Sequence, residues 1–242
     1  IDLLIIIFGL CIGSFYNVVA LRLLKGQSLV FPPSHCPQCR HRLGVGDLLP
    51  LLSYVLLRGR CRYCRAPISV LYPLGEGMTA LSFYLVYRQW GFQWELAVGW
   101  VLASLLVLAS LTDLKARMIL DRLIFTGFGL LVLLRAFIGD QPWWWYIVGG
   151  LMGSGLLLLG ARLSRGGISG DIIKLVLAAG VALGPWSILF SIGLAALAGT
   201  LAGAVMMWSG FPARRRPLPL APFVWFGAMT AYIYGDDLWR VF

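Results

Sequence analysis

Charge is what this sequence has least of. Only 12% of its 242 residues are charged, about half the share usual in a soluble domain, while 60% are hydrophobic. A soluble globular fold is therefore excluded, because too little of the surface could be made polar. Acid is scarcer still, with 10 Asp and Glu against 20 Lys and Arg and a formal net charge of +10. In a soluble protein that excess would suggest nucleic acid; here no nucleic-acid partner is expected, because basic residues mark the cytosolic loops of membrane proteins. Apart from Arg135, the apolar stretches carry almost no charged or polar group near their middles, which argues against a transporter. The stretch after Ile1 has no basic segment before it and no small-residue cleavage site after it, so a retained helix is expected rather than a signal peptide.

A membrane-spanning helix needs roughly 20 apolar residues. Apolar runs cover 3–21, 73–90, 95–112, 122–139, 144–161, 172–185, 187–208 and 220–235. The fold class expected is an all-α polytopic membrane protein with about eight transmembrane helices. The 37 residues 172–208 are too long for one pass, and Gly184-Pro185-Trp186-Ser187 supplies a turn within them. Residues 22–72, 113–121, 162–171 and 209–219 hold 15 of the 20 basic residues, among them Arg165 and Arg214–Arg216. Those loops are placed in the cytosol, and both chain ends outside. The same count supports splitting 172–208, since its two basic flanks share a side only if two passes separate them. Pro142-Trp143-Trp144-Trp145-Tyr146 fits an aromatic belt on the outer face.

Four of the five cysteines form Cys36-Pro37-Gln38-Cys39 and Cys61-Arg62-Tyr63-Cys64, with 21 residues between the pairs. Paired CxxC knuckles at this spacing place four thiolates around a tetrahedral zinc. Disulfides are the competing reading, but a cytosolic loop is reducing. Four thiolates leave no open position for water, so the zinc is expected to be structural. His35 and His41 read as solvated loop residues, and Cys11 as a packing residue of its helix. Between the knuckles, Leu48 to Leu57 is apolar but too short to span, and is expected to pack or to lie against the membrane face.

With acids so few, each needs a reason. Asp113 ends the third apolar run and Asp171 opens the sixth, both at the cytosolic edge. Two carboxyls brought together in low dielectric cannot both ionise easily; they share a proton, so that one serves as acid while the other activates water. The structural alternatives are an ion pair of Asp113 with Lys115 or Arg117, and helix caps made by Asp171 and Asp121. If the sixth helix runs from Ile172 to Leu183 it is only about 18 Å long, shorter than a hydrocarbon core of roughly 30 Å, and Asp171 would lie below the bilayer surface.

These residues resemble the type IV prepilin peptidases, also called prepilin leader peptidase/N-methyltransferases, over nearly the whole chain. Gly13-Ser14-Phe15-Tyr16-Asn17-Val18-Val19 is similar to the family's GSFLNVV, and Tyr72-Pro73-Leu74-Gly75-Glu76 to its YPLVE. The two knuckles, with Arg58-Gly59-Arg60 before the second, resemble its zinc domain. Thr112-Asp113 with Ile119-Leu120-Asp121 resembles the first catalytic motif, and Gly170-Asp171 with Lys174-Leu175 the second, GxGD-type motif. This sequence departs from the second motif at Ile168 and Ile173, where glycine and lysine are usual; Gly167 and Lys174 stand one residue further out. Asp47-Leu48-Leu49-Pro50 replaces the usual Asn before Ile-Pro.

The resemblance implies a GxGD-type membrane aspartic peptidase of the bacterial inner membrane. It would remove the short basic leader of prepilins or pseudopilins on the cytosolic side and methylate the new N-terminus with S-adenosylmethionine. Asp113 and Asp171 would then be the catalytic pair, Cys36, Cys39, Cys61 and Cys64 the zinc ligands, and Gly59 and Glu76 residues serving methyl transfer. The expected organisation is helix 1 over 1–22, a cytosolic zinc module over 23–72 and a seven-helix membrane peptidase domain over 73–242. The competing class is a non-enzymatic membrane scaffold whose zinc module docks partners, for which the cysteines would matter and the aspartates would not.

Overall fold

The computed structural model describes residues 1–164, 167–209 and 218–239. Arg165 and Arg214–Arg216, used above to orient the chain, lie outside them. Secondary structure among the described residues is helical apart from two isolated antiparallel bridges, His35 with Arg42 and Arg60 with Pro67. The helices are α1 (Asp2–Leu24), α2 (Leu52–Leu56), α3 (Leu71–Trp90), α4 (Glu95–Ala116), α5 (Asp121–Phe137), α6 (Trp143–Leu163), α7 (Gly170–Leu183), α8 (Pro185–Trp208) and α9 (Ala221–Trp239). Each of them except α2 encloses an apolar run identified in the sequence or covers all but one or two of its residues. Four of them, α1, α4, α6 and α8, are long and apolar enough to cross a membrane. The others are shorter or more polar, α7 having only 14 residues and α5 17.

The chain forms two compact units, Ile1–Tyr84 and Leu85–Phe242, divided within α3. In the first, α1 lies directly on α3. A Cβ at Gly13 would stand 2.7 Å from the Glu76 Cα, and one at Gly9 equally close to the Ala80 Cα. Glycines four apart on one face of α1 are what let the two backbones meet. One turn further, buried Asn17 donates its side-chain amide to the Tyr72 carbonyl at 2.9 Å. That bond satisfies an acceptor in the first turn of α3 and fixes the register of the pair.

In the second unit α4 is the most enclosed helix, buried from Leu96 to Asp113 along its inward faces, and packs on α5, α7 and α9. Helices α6 and α7 pair closely, as do α8 and α9. The long apolar run 172–208 is broken at Gly184, whose φ of +79° is left-handed and whose missing Cβ makes room for the Trp145 indole. Pro185 then opens α8 at the position where its absent N–H costs nothing.

A buried polar cluster joins one end of this bundle. Arg135, near the end of α5, pairs with Glu95 at the start of α4 (2.5 Å) and donates from Nε to the Ala182 carbonyl on α7 at 3.1 Å. Its guanidinium lies 4.6 Å from the centre of the Tyr146 ring on α6, and Tyr232 of α9 donates its hydroxyl to the Glu95 carboxylate at 2.9 Å. Five helices meet on one charge pair. Its members come from residues 95 to 232, so nothing local in the sequence announces it.

Candidate active site and metal centre

The two knuckles of the first unit are built alike. In one, Cys36 receives the Arg40 N–H at 2.9 Å and donates to the His41 carbonyl; in the other, Cys61 receives the Arg65 N–H at 3.0 Å and donates to the Ala66 carbonyl. Arg40 and Arg65 both stand in the left-handed region, at φ 57° and 59°, and so does Arg58 at 52°. These turns point the thiols of each pair to one side. At a Zn–S bond of about 2.3 Å a tetrahedral site separates its sulfurs by about 3.8 Å. The Cys36 and Cys64 Sγ atoms are 3.8 Å apart, and all four sulfurs lie within 4.8 Å of one another. None of the four is in a disulfide.

Donor number, type and spacing therefore fit zinc, which would be held by Cys36, Cys39, Cys61 and Cys64. Among themselves the thiols are unequal. The Cys39 backbone N–H, more than any other neighbour, draws Cys36 down to about 7. Cys64 stands at about 11: the Ala66 N–H favours its thiolate, but desolvation and hydrogen bonds with Cys39, Cys61 and Cys36 outweigh it.

Asp47 sits between the knuckles, where its carboxylate takes the Arg62 guanidinium at 2.7 Å and the Gly44 N–H at 3.2 Å. Burial works against its charge, yet the Gly44 N–H and Arg62 hold the carboxyl below its usual range. His41 stacks on Tyr63 with ring centres 3.6 Å apart, while His35 donates from Nδ1 to the Pro33 carbonyl of its own turn at 2.9 Å.

Gly59 and Glu76 are both engaged within the same unit. Gly59, at φ +67°, lies under the Tyr54 ring. Buried Glu76 accepts the Leu51 N–H at 2.8 Å and the Ser14 hydroxyl, so it ties the strap between the knuckles to α1 and α3. Both residues thus have partners within the module.

In the second unit, Asp113 occupies the last turns of α4 and Asp171 the first turn of α7. The two helices pack together, running in opposite directions, so these ends coincide, and the two carboxylates lie within electrostatic reach of each other. Asp113 is only 7% exposed, and its Oδ2 accepts the Ala221 N–H at 2.9 Å, satisfying a donor at the start of α9. The Asp171 side chain is 34% exposed; it accepts the Ile119 N–H at 3.4 Å and faces the Lys174 ammonium at 4.0 Å. Lys174 pairs more closely, at 2.6 Å, with Asp121. Thus one buried, tightly held carboxyl and one water-accessible carboxyl converge at one end of the bundle, opposite the Arg135 cluster along α4 and α7.

The sequence left Asp121 as a possible cap; it is instead joined across 53 residues to Lys174. The lysine displaced by one position still lies on the Asp171 side of α7, because residues three apart share a helix face. The role of the Leu220–Ala221 turn carried no sequence signal, since a backbone N–H is common to nearly every residue.

Two family models match this chain: the bacterial peptidase A24 N-terminal domain over residues 7–90, and the type IV leader peptidase family over residues 100–205. The prepilin leader peptidase/N-methyltransferase of Bacillus subtilis is 33% identical over 235 residues, covering 97% of this chain and 95% of its own. The proteins of the same name from Aeromonas hydrophila and Pseudomonas aeruginosa are 31% and 29% identical, each over 98% of this chain and over 92% and 91% of their own. No solved structure matches it. With both halves matched in order and a relative at this identity along almost the full length, the chain is an enzyme that belongs to the type IV leader peptidase family.

Proposed function

We propose that this enzyme is an aspartic endopeptidase of the bacterial inner membrane that removes the short basic leader of prepilins or pseudopilins on the cytosolic side. In this reading all eight long helices cross the bilayer. They are organised as helix 1 over 1–22, the zinc module over 23–72 and a seven-helix peptidase domain over 73–242. The observation that carries the reading is the convergence of Asp113 on α4 with Asp171 on α7.

The chemistry follows from the inequality of the two carboxyls. Asp113 is held by the Ala221 N–H, which fixes its orientation. Asp171 is the one water reaches. Sharing one proton, the pair takes a proton from a water as its oxygen attacks the scissile carbonyl, and returns one to the leaving amine. The substrate's apolar helix stays among the spans while its leader remains in the cytosol. Cys36, Cys39, Cys61 and Cys64 would hold zinc, which when bound would fix the module; four thiolate ligands would leave no open position for water.

Methylation of the freed amine is the second activity proposed, with S-adenosylmethionine as the methyl source. Gly59 and Glu76 are the residues assigned to it, as cofactor-binding positions. The test of both activities is to incubate the purified protein with a synthetic prepilin peptide, with and without S-adenosylmethionine, and to follow mass. Loss of the leader supports cleavage, and a further gain of one methyl supports transfer. An intact peptide, with Asp113→Asn and Asp171→Asn indistinguishable from the parent protein, would instead favour the scaffold reading.

A further inference from the structure

The zinc module carries an apolar face that the peptidase reading does not use. On α2, Leu52, Val55 and Leu56 are 52%, 69% and 70% exposed. Their spacing of three and four places them on one side of the helix, while Tyr54, on the other side, packs over Gly59. Leu48 and Leu49, just before α2, are exposed as well. Around this strap stand Arg40, Arg42, Arg58, Arg60, Arg62 and Arg65, all exposed. The one acid of residues 22–72, Asp47, is already bonded to Arg62 and the Gly44 N–H, so the module presents a strongly basic surface.

We propose that this face docks on the surface of an anionic bilayer, with Leu52, Val55 and Leu56 entering the headgroup region and the neighbouring arginines paired with lipid phosphates. Exposed aliphatic side chains flanked by arginine are the composition of interfacial membrane anchors. The module leaves α1, a helix long and apolar enough to span, at Leu24 and enters α3 at Leu71. A segment tethered at both ends beside a bilayer meets it at high effective concentration, so a small apolar face suffices for docking. A basic peptide leader is a poor occupant, because like charges repel. Docking would fix the height of the knuckles above the membrane independently of whether the chain cleaves anything.

The test uses the full-length protein in nanodiscs, with benzoylphenylalanine in place of Val55 or Leu56, irradiated and read by mass spectrometry. The expected result is a phospholipid adduct at both positions in discs of phosphatidylglycerol and phosphatidylcholine. The yield is expected to fall several-fold in pure phosphatidylcholine and in an Arg58→Gln/Arg60→Gln variant that retains its zinc. Equal yields in neutral and anionic discs would overturn the role of lipid charge. Cross-links to the chain itself, to added prepilin or to solvent alone would overturn docking altogether. The readout is lipid contact, so it stands apart from the cleavage assay.

Discussion

Asp113 has two jobs that one substitution can separate. Its Oδ2 accepts the Ala221 N–H, and its carboxyl is one half of the proposed pair. In Asp113→Asn the amide oxygen can still accept that bond, so folding is expected to survive while cleavage falls by at least the 10²–10⁴-fold typical of a lost general acid or base, to order of magnitude. Asp113→Ala leaves the Ala221 N–H without a partner and is expected to lose about 1–3 kcal/mol of stability besides. Comparing thermal melts of the two variants in detergent with their cleavage rates separates the roles. The Glu95–Arg135 pair behaves differently because it is enclosed. Arg135→Met alone is expected to cost about 3–5 kcal/mol by stranding a carboxylate. The double variant Glu95→Gln/Arg135→Met is expected to recover much of that, and a melt that falls further instead would refute a simple charge pair.

At the scale of helices, positions followed from apolar runs and from Gly184-Pro185, because hydropathy and turn chemistry are written residue by residue. The knuckles followed from cysteine spacing, which metal geometry dictates. What joins one helix to another was hidden where the partner is main chain: Tyr72 for Asn17, Ala182 for Arg135, Ala221 for Asp113. The α1–α3 contact is the most exacting of these joints. Gly13→Val would drive a Cβ into the α3 backbone, and is expected to cost at least the 1–3 kcal/mol usual for overpacking, measured as a lower melting temperature. Helix α7, at 14 residues, is about 21 Å long. A spin label at residue 171 is therefore expected to lie below the phosphate plane, and accessibility like that of bulk water would contradict that depth.

For the molecule as a whole, the proposed zinc site and the proposed peptidase pair belong to different units, so their perturbations are expected to differ in kind. With zinc bound as proposed, a chelator would remove the bonds that hold two short turns with little apolar core of their own. New proteolytic cuts are expected within residues 25–70 and not within α4 or α7, as mapped by limited proteolysis and mass spectrometry.

In the proposed topology, the left-handed arginines give the orientation of the chain a cost in stability. Arg40, Arg58, Arg65 and Arg117 all occupy a backbone region that glycine enters without strain and other residues enter at roughly 1–2 kcal/mol. Glycine at any of these corners would relax the fold, yet it would also erase a positive charge from a loop that the proposed topology places in the cytosol, where basic residues set the direction of insertion. On the proposed topology, the same strained corners carry charges that hold the chain the right way up.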